Sequence, residues 1–85
     1  MSNKTYTTDT NKTISIPTTI VDSKGNTYQV EQKTWEQEGK KRVYISVLFA
    51  RSGKVNCGYV DLVTGAIGLK SSPAWIAQEV KANIA

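Results

Sequence analysis

The segment Val43-Tyr44-Ile45-Ser46-Val47-Leu48-Phe49 has a large apolar residue at every second position. Successive side chains leave a β-strand on opposite faces, so this alternation predicts a half-buried strand. One face of that strand would carry Val43, Ile45, Val47 and Phe49 into a core. The residues between them would point the other way. The rest of the fold can be read outward from this strand.

Three glycine-containing turns surround the strand, with the sequences Glu38-Gly39-Lys40-Lys41, Arg51-Ser52-Gly53-Lys54 and Val63-Thr64-Gly65-Ala66. Each offers a glycine for a two-residue hairpin loop, in which a positive φ is needed. The stretch 32–69 is therefore predicted to form three consecutive hairpins. Taking Gly39-Lys40, Ser52-Gly53 and Thr64-Gly65 as the loops predicts the opposed pairs Trp35–Tyr44, Ile45–Val60 and Leu62–Ile67.

This register divides the side chains between two faces, and a slip of one residue in any pairing would scatter them. The aliphatic face collects Val30, Val43, Ile45, Val47, Phe49, Val60, Leu62, Ile67 and Leu69. The opposite face collects Lys33, Trp35, Arg42, Tyr44, Ser46, Leu48, Cys57, Tyr59, Asp61 and Lys70. Only the second set carries information about function.

The residues before the hairpins predict further strands. Thr13 to Val21 is rich in β-branched residues, and Pro17 lacks an N–H donor, which predicts an edge strand or a strand broken at Pro17. Asp22 to Asn26 is a turn. The following strand, about Thr27 to Gln37, is longer than average, so we expect a bulge or bend within it.

The residues after Leu69 change to a helical period. Ser71-Ser72-Pro73 is typical of a helix start, with serine as a cap and proline at the first helical position. Ile76, Val80 and Ile84 then recur four apart and form an apolar stripe suited to the aliphatic face of the sheet. Trp75 is expected to cover one end of the core.

The predicted fold class is α+β: an antiparallel β-meander of four to five strands with one C-terminal α-helix packed on one face. At 85 residues the chain is long enough for one domain, which we assign to residues 13–85. Residues 1–12 contain no aliphatic residue after Met1, so we predict a disordered polar tail. The alternative is an arm that folds onto a partner.

Composition removes several functional classes. The chain has no histidine and only one cysteine, Cys57, which excludes an internal disulfide, Cys/His zinc sites and His-based catalytic triads. The sequence shows neither a paired-carboxylate site nor a phosphate-binding glycine loop. We therefore expect no enzymatic activity, no metal, no cofactor and no small-molecule substrate. No apolar run approaches the ~20 residues of a membrane span, and no signal segment is evident, so we expect a cytoplasmic protein without a membrane partner.

The opposite face, together with the formal net charge of +4, suggests a binding function. Aromatic rings interleaved with cations suit base stacking and phosphate contact. The predicted site for single- or double-stranded nucleic acid comprises Lys33, Trp35, Lys40, Lys41, Arg42, Tyr44, Tyr59 and Lys70. Aromatic cross-strand pairs also stabilise sheets by themselves. The alternative is a protein-interaction surface, covered by the segment from Ile14 to Val21 or by a second copy in a homodimer.

At the level of fold alone, a meander with a helix on its back resembles sheet-reading DNA-binding domains. Examples are the plant ethylene-response-factor domain, the amino-terminal arms of tyrosine integrases and the single-strand binders of the transcriptional-coactivator type. The resemblance implies that the exposed sheet face contacts nucleic acid. No motif of these families matches this chain residue by residue.

Overall fold

The computed structural model describes residues 3–49, 51 and 53–85. Its elements are β1 (Asn3–Thr7), β2 (Thr13–Pro17), β3 (Thr19–Val21), β4 (Thr27–Gln37), β5 (Lys40–Phe49), β6 (Gly53–Asp61), β7 (Ile67–Leu69) and α1 (Ala74–Ala82). Strands β3 to β7 form one antiparallel sheet in sequence order, and β1 pairs with β2 in a separate ribbon. The predicted α+β meander with one C-terminal helix is confirmed.

The core lies on the predicted aliphatic face, called the inner face below. Val43, Val47 and Val60 are fully buried, and Ile45 is nearly so. Of the predicted inner residues, Phe49 and Leu69 pack against the core from its margin, while Ile67 is 38% exposed. The alternation along β5 therefore assigned this face correctly.

Helix α1 closes the core because it lies against both edges of the sheet, β3 and β7. Its buried residues are Ile76, Ala77 and Val80, while Ile84 of the predicted stripe follows the end of the helix and packs against the core as a partly buried residue. Pro73 occupies the N-cap position and not the predicted first helical position. The predicted serine cap is therefore wrong, since no side chain caps the helix at Pro73; the Ser71 hydroxyl, two residues earlier, accepts a hydrogen bond from the Ala77 N–H at 2.9 Å.

Trp75 lies at the margin of this core and remains 37% exposed. Its ring stands edge-on to Tyr28 with the centroids 6.0 Å apart, and Tyr28 packs in turn on Phe49 at 4.8 Å. The three rings join the helix to one end of the sheet. This agrees with the expectation that Trp75 covers one end of the core.

The first hairpin has a different register from the predicted one. Trp35 lies opposite Arg42, and Lys33 lies opposite Tyr44. The loop is Glu38-Gly39, with φ of 49° and 79°, and not Gly39-Lys40. Two positive φ values fit a turn whose twist matches the strands, and glycine takes the second position. A shift of two in the pairing keeps every side chain on its predicted face.

The second hairpin contains a bulge in β6, whereas β4, where a bulge or bend was predicted, pairs with β5 without a register shift. Ile45 pairs with Gly58, but Ser46 pairs with Asn56, so Cys57 is the extra residue on β6. Cys57 consequently turns into the core and is fully buried, which corrects its assignment to the opposite face. Its burial raises the pKa of the thiol. The predicted pair Ile45–Val60 is replaced by Val43–Val60.

The loops of the second and third hairpins also differ from the prediction. Gly53 pairs with Phe49, and Ser52 of the predicted loop lies outside the described residues. In the third hairpin, Ile67 pairs with Val60 and not with Leu62. Leu62 leaves the ladder but stays buried, and its N–H donates to the Lys41 carbonyl oxygen at 2.8 Å.

Residues 3–17 form a hairpin where a disordered tail was predicted for residues 1–12, of which residues 1 and 2 lie outside the described part of the chain. Strand β1 pairs with β2, and the turn between them closes through the Thr8 N–H and the Lys12 carbonyl oxygen at 2.8 Å. The Tyr6 hydroxyl donates to the Gln32 side chain at 2.9 Å. Strand β1 is held against β2 by backbone hydrogen bonds and against β4 by the Tyr6 hydroxyl. The prediction of disorder considered only aliphatic burial and took no account of these polar contacts.

The strand predicted before the first turn is indeed broken at Pro17, into β2 and β3. Ile14, Ile16 and Ile20 enter the core on the inner face. The alternative in which this segment covers the opposite face of the sheet is therefore corrected: it covers the aliphatic one.

Candidate nucleic-acid interface

The face of the sheet opposite the core, called the outer face below, is built from cross-strand rows. Residues directly opposite in an antiparallel pair share a face. One row runs Trp35, Arg42, Asp61 from β4 to β6, and the next runs Lys33, Tyr44, Tyr59. The third row holds Glu31, Ser46 and Asn56. The sheet thus brings together five of the eight predicted site residues in two adjacent rows.

Three rings and one guanidinium form the aromatic cluster: Trp35, Tyr44, Tyr59 and Arg42. The Trp35 and Tyr44 rings stand edge to face, with centroids 6.4 Å apart and planes at 76°. The Tyr44 and Tyr59 centroids are 5.7 Å apart. These separations lie within the range of favourable ring pairs.

Arg42 sits among the three rings. Its guanidinium carbon lies 4.4 Å from the Tyr59 centroid and 5.5 Å from that of Trp35. Its Nη1 donates to the Tyr44 hydroxyl at 3.2 Å, and this hydrogen bond raises the pKa of the arginine. The planar cation is therefore held in place by stacking, and it stays charged at every physiological pH.

The aromatic cluster is open to solvent. Tyr44 is 39% exposed, and Trp35, Arg42 and Tyr59 are half-buried. Part of the aromatic surface is thus accessible to a stacking partner. Described side chains from other elements do not bury it, since β1, β2 and α1 lie with the core.

The lysines separate into two groups. Lys33 and Lys40 are exposed residues of β4 and β5 on the outer face. Lys41 follows Lys40 but points to the inner side, where its Nζ lies 3.0 Å from the Asp9 carboxylate and that pair raises the pKa of the lysine. Lys70 lies exposed just beyond β7, outside the two rows of the aromatic cluster.

Asp61 lies on the outer face opposite Arg42. Its Oδ1 accepts hydrogen bonds from the backbone N–H groups of Val63 at 2.7 Å and Thr64 at 3.2 Å. The carboxylate is therefore engaged by the loop that follows β6. This is a turn function, and the carboxylate still places a negative charge opposite Arg42.

The outer face also carries two charged residues that the predicted site does not include, Glu31 and Lys54. The Lys54 Nζ lies 3.4 Å from the Glu31 Oε1, and the Lys33 Nζ lies 4.0 Å from the same oxygen. Glu31 has the same strand parity as Lys33 and Trp35, and that signal was available in the sequence. The position of Lys54 depends on the β6 bulge, which shifts the pairing of β5 with β6 after Ile45.

No protein-family model, curated protein or solved structure was found to match this chain. Within residues 3–49, 51 and 53–85, no three histidine, cysteine or acidic side chains come together as a metal-binding group. The helix found in this part of the chain is too short and too polar to cross a bilayer.

Proposed function

We propose that the outer face binds single-stranded nucleic acid and that the protein is a non-enzymatic binding module. The observation that carries the proposal is the aromatic cluster, in which Arg42 is held between Trp35 and Tyr59 on an open sheet face. Unpaired bases offer π-faces to such rings, whereas bases stacked in a duplex do not. Single strands are therefore favoured over double strands.

Each residue has a defined part in the proposed complex. The exposed ring surfaces of Trp35, Tyr44 and Tyr59 stack on bases, at about 1–3 kcal/mol per stacked base. Arg42 remains on its rings and presents its outward N–H groups to phosphate. Lys33 and Lys40 contact the backbone at either side. The binding shows weak sequence selectivity because these contacts do not depend on base identity.

The test is a titration of a fluorescently labelled oligothymidylate at low and moderate salt. Lys40 and Lys41 provide a matched pair, since they are adjacent in sequence and equal in charge but lie on opposite sides of the sheet. Lys40→Ala should weaken binding and reduce the salt slope by about 0.7. Lys41→Ala should leave both nearly unchanged.

Two further variants separate stacking from charge. Trp35→Ala should weaken binding with the salt slope preserved, whereas Arg42→Ala should lower both affinity and slope. Lys24→Ala, in the β3–β4 turn, serves as a distant control of equal charge change. Equal losses from Lys24, Lys40 and Lys41 would show diffuse electrostatic attraction and refute a site on the outer face.

A second candidate function is protein docking on the same face, including self-association. It is favoured by the exposure of Leu48, at 38%, on the same face as Tyr44. Sedimentation velocity distinguishes the candidates. A monomer whose Trp35 is quencher-accessible, measured in a Trp75→Phe background, would count against a homodimer through this face.

A further inference from the structure

Glu31 lies in the row next to the aromatic cluster and holds two lysines from different strands. Its Oε1 is 4.0 Å from the Lys33 Nζ and 3.4 Å from the Lys54 Nζ. The Glu31 side chain is 32% exposed, and those of Lys33 and Lys54 are 69% and 46% exposed. All three charged groups are therefore within reach of a ligand on the outer face.

Lys54 makes this contact across an intervening strand. Lys54 belongs to β6 and pairs with Leu48 of β5, while Glu31 belongs to β4 on the far side of β5. Ser46, which pairs with Glu31, is only 8% exposed although it lies on the outer face. This low exposure fits a Lys54 side chain extended over β5 toward Glu31.

We infer that Glu31 is an internal counter-ion that competes with nucleic-acid phosphate for Lys33 and Lys54. The inference rests on the proposed function and adds to its site a residue that limits affinity. One carboxylate shared by two ammonium groups leaves a local charge of +1, and removing the carboxylate leaves +2. Exposed ion pairs are weak, so a polyanion can displace the Glu31 carboxylate from the lysines. The negative charge of that carboxylate still repels the bound polyanion and lowers its affinity.

The test compares wild type with Glu31→Gln in an oligothymidylate titration over a range of salt concentrations. Glu31→Gln should bind more tightly, with a salt slope steeper by about 0.7 to 1.4, corresponding to one or two more neutralised phosphates. The matched control is Glu36→Gln on the same strand, because Glu36 pairs with Lys41 on the opposite side of the sheet. Glu36→Gln should leave the slope at its wild-type value.

A double-mutant cycle with Lys54→Ala tests the mechanism. Lys54→Ala should cost more affinity in the Glu31→Gln background than in wild type, because in that background no carboxylate competes with phosphate for Lys54. Circular dichroism confirms that each variant is folded. Equal or weaker binding by Glu31→Gln, with wild type binding normally, would overturn the inference and leave the proposed function standing. Absence of binding by wild type and Glu31→Gln alike would instead refute the proposed function and the inference with it.

Discussion

Gly58 is the residue on which the register between β5 and β6 depends. Its φ is 113°, and a Cβ at this position would meet the carbonyl oxygen of Gly68 on β7. Both the backbone conformation and the close approach of β7 require glycine. Because Gly58 has no Cβ, the chain can form the bulge at Cys57 while β7 stays paired with β6.

Gly58→Ala should destabilise the fold by about 2–5 kcal/mol, because backbone strain and overpacking against β7 add together. The control is Gly25→Ala, since Gly25 has a φ of 84° but a Cβ added there would have no neighbour within 4 Å. That variant should cost about 1–2 kcal/mol. Urea unfolding measures both. Equal costs would contradict the close packing of β7 on Gly58.

The neighbours Ile45 and Ser46 test the division into faces. Ile45→Ala should cost about 2–4 kcal/mol because Ile45 is 1% exposed in the core. Ser46→Ala should cost about 0.5–1.5 kcal/mol, the loss of its hydrogen bond to the Asn56 side chain at 2.9 Å. Equilibrium unfolding of the two variants decides the matter. If Ser46→Ala were the more costly, the faces of β5 would be reversed.

At the scale of elements, hairpin faces can be predicted from this sequence but loop residues cannot. The glycine in each turn indicates where the chain reverses, yet Glu38 adopts a positive φ that nothing in its side chain favours. The glycine inside β6, Gly58, is a signal for a bulge or for close packing, but it does not show which residue is inserted, because hydrophobic alternation stays intact on either side. The predicted pairing of the first hairpin is wrong by two residues, and a shift of two keeps each side chain on its predicted face. The bulge adds one residue and therefore moves Cys57 from the predicted outer face into the core.

The β3–β4 turn is organised by the carboxylate of Asp22. The Asn26 amide donates to it at 3.0 Å and the Tyr28 hydroxyl at 2.8 Å, and the backbone N–H groups of Lys24 and Asn26 donate as well. These donors stabilise the ionised form and hold the pKa of Asp22 well below its usual range.

This shift predicts a pH dependence of folding. The pKa of Asp22 is lower in the folded state than in the unfolded one, so its contribution is fully present above about pH 4–5 and is lost as pH falls below that. Asp22→Asn should therefore be less stable than wild type at pH 7, and the difference should shrink toward pH 2. Urea midpoints measured from pH 7 down to pH 2 check this. A constant difference would contradict the assigned donors.

For the whole molecule, most of the sheet, the helix and β2 could be predicted, and β1 of the N-terminal ribbon could not. Aliphatic burial is a strong signal for β5 and α1, but β1 is held mainly by backbone pairing and by Tyr6. The candidate site shows the same limit. Trp35, Arg42, Tyr44 and Tyr59 share a face by strand parity, whereas the contact of Lys54 with Glu31 depends on a bulge and on distances between strands.

The central claim is that the outer face, and not the helix side, binds single-stranded nucleic acid. The two tryptophans report on the two sides of the molecule separately. Trp35 lies in the aromatic cluster, whereas Trp75 belongs to the helix and packs near Tyr28. The most direct measurement is an NMR titration of ¹⁵N-labelled protein with a short oligothymidylate, following the two indole N–H resonances. The Trp35 resonance should shift progressively while that of Trp75 stays in place. A shift of Trp75 alone, or of neither resonance at low salt, would contradict the claim.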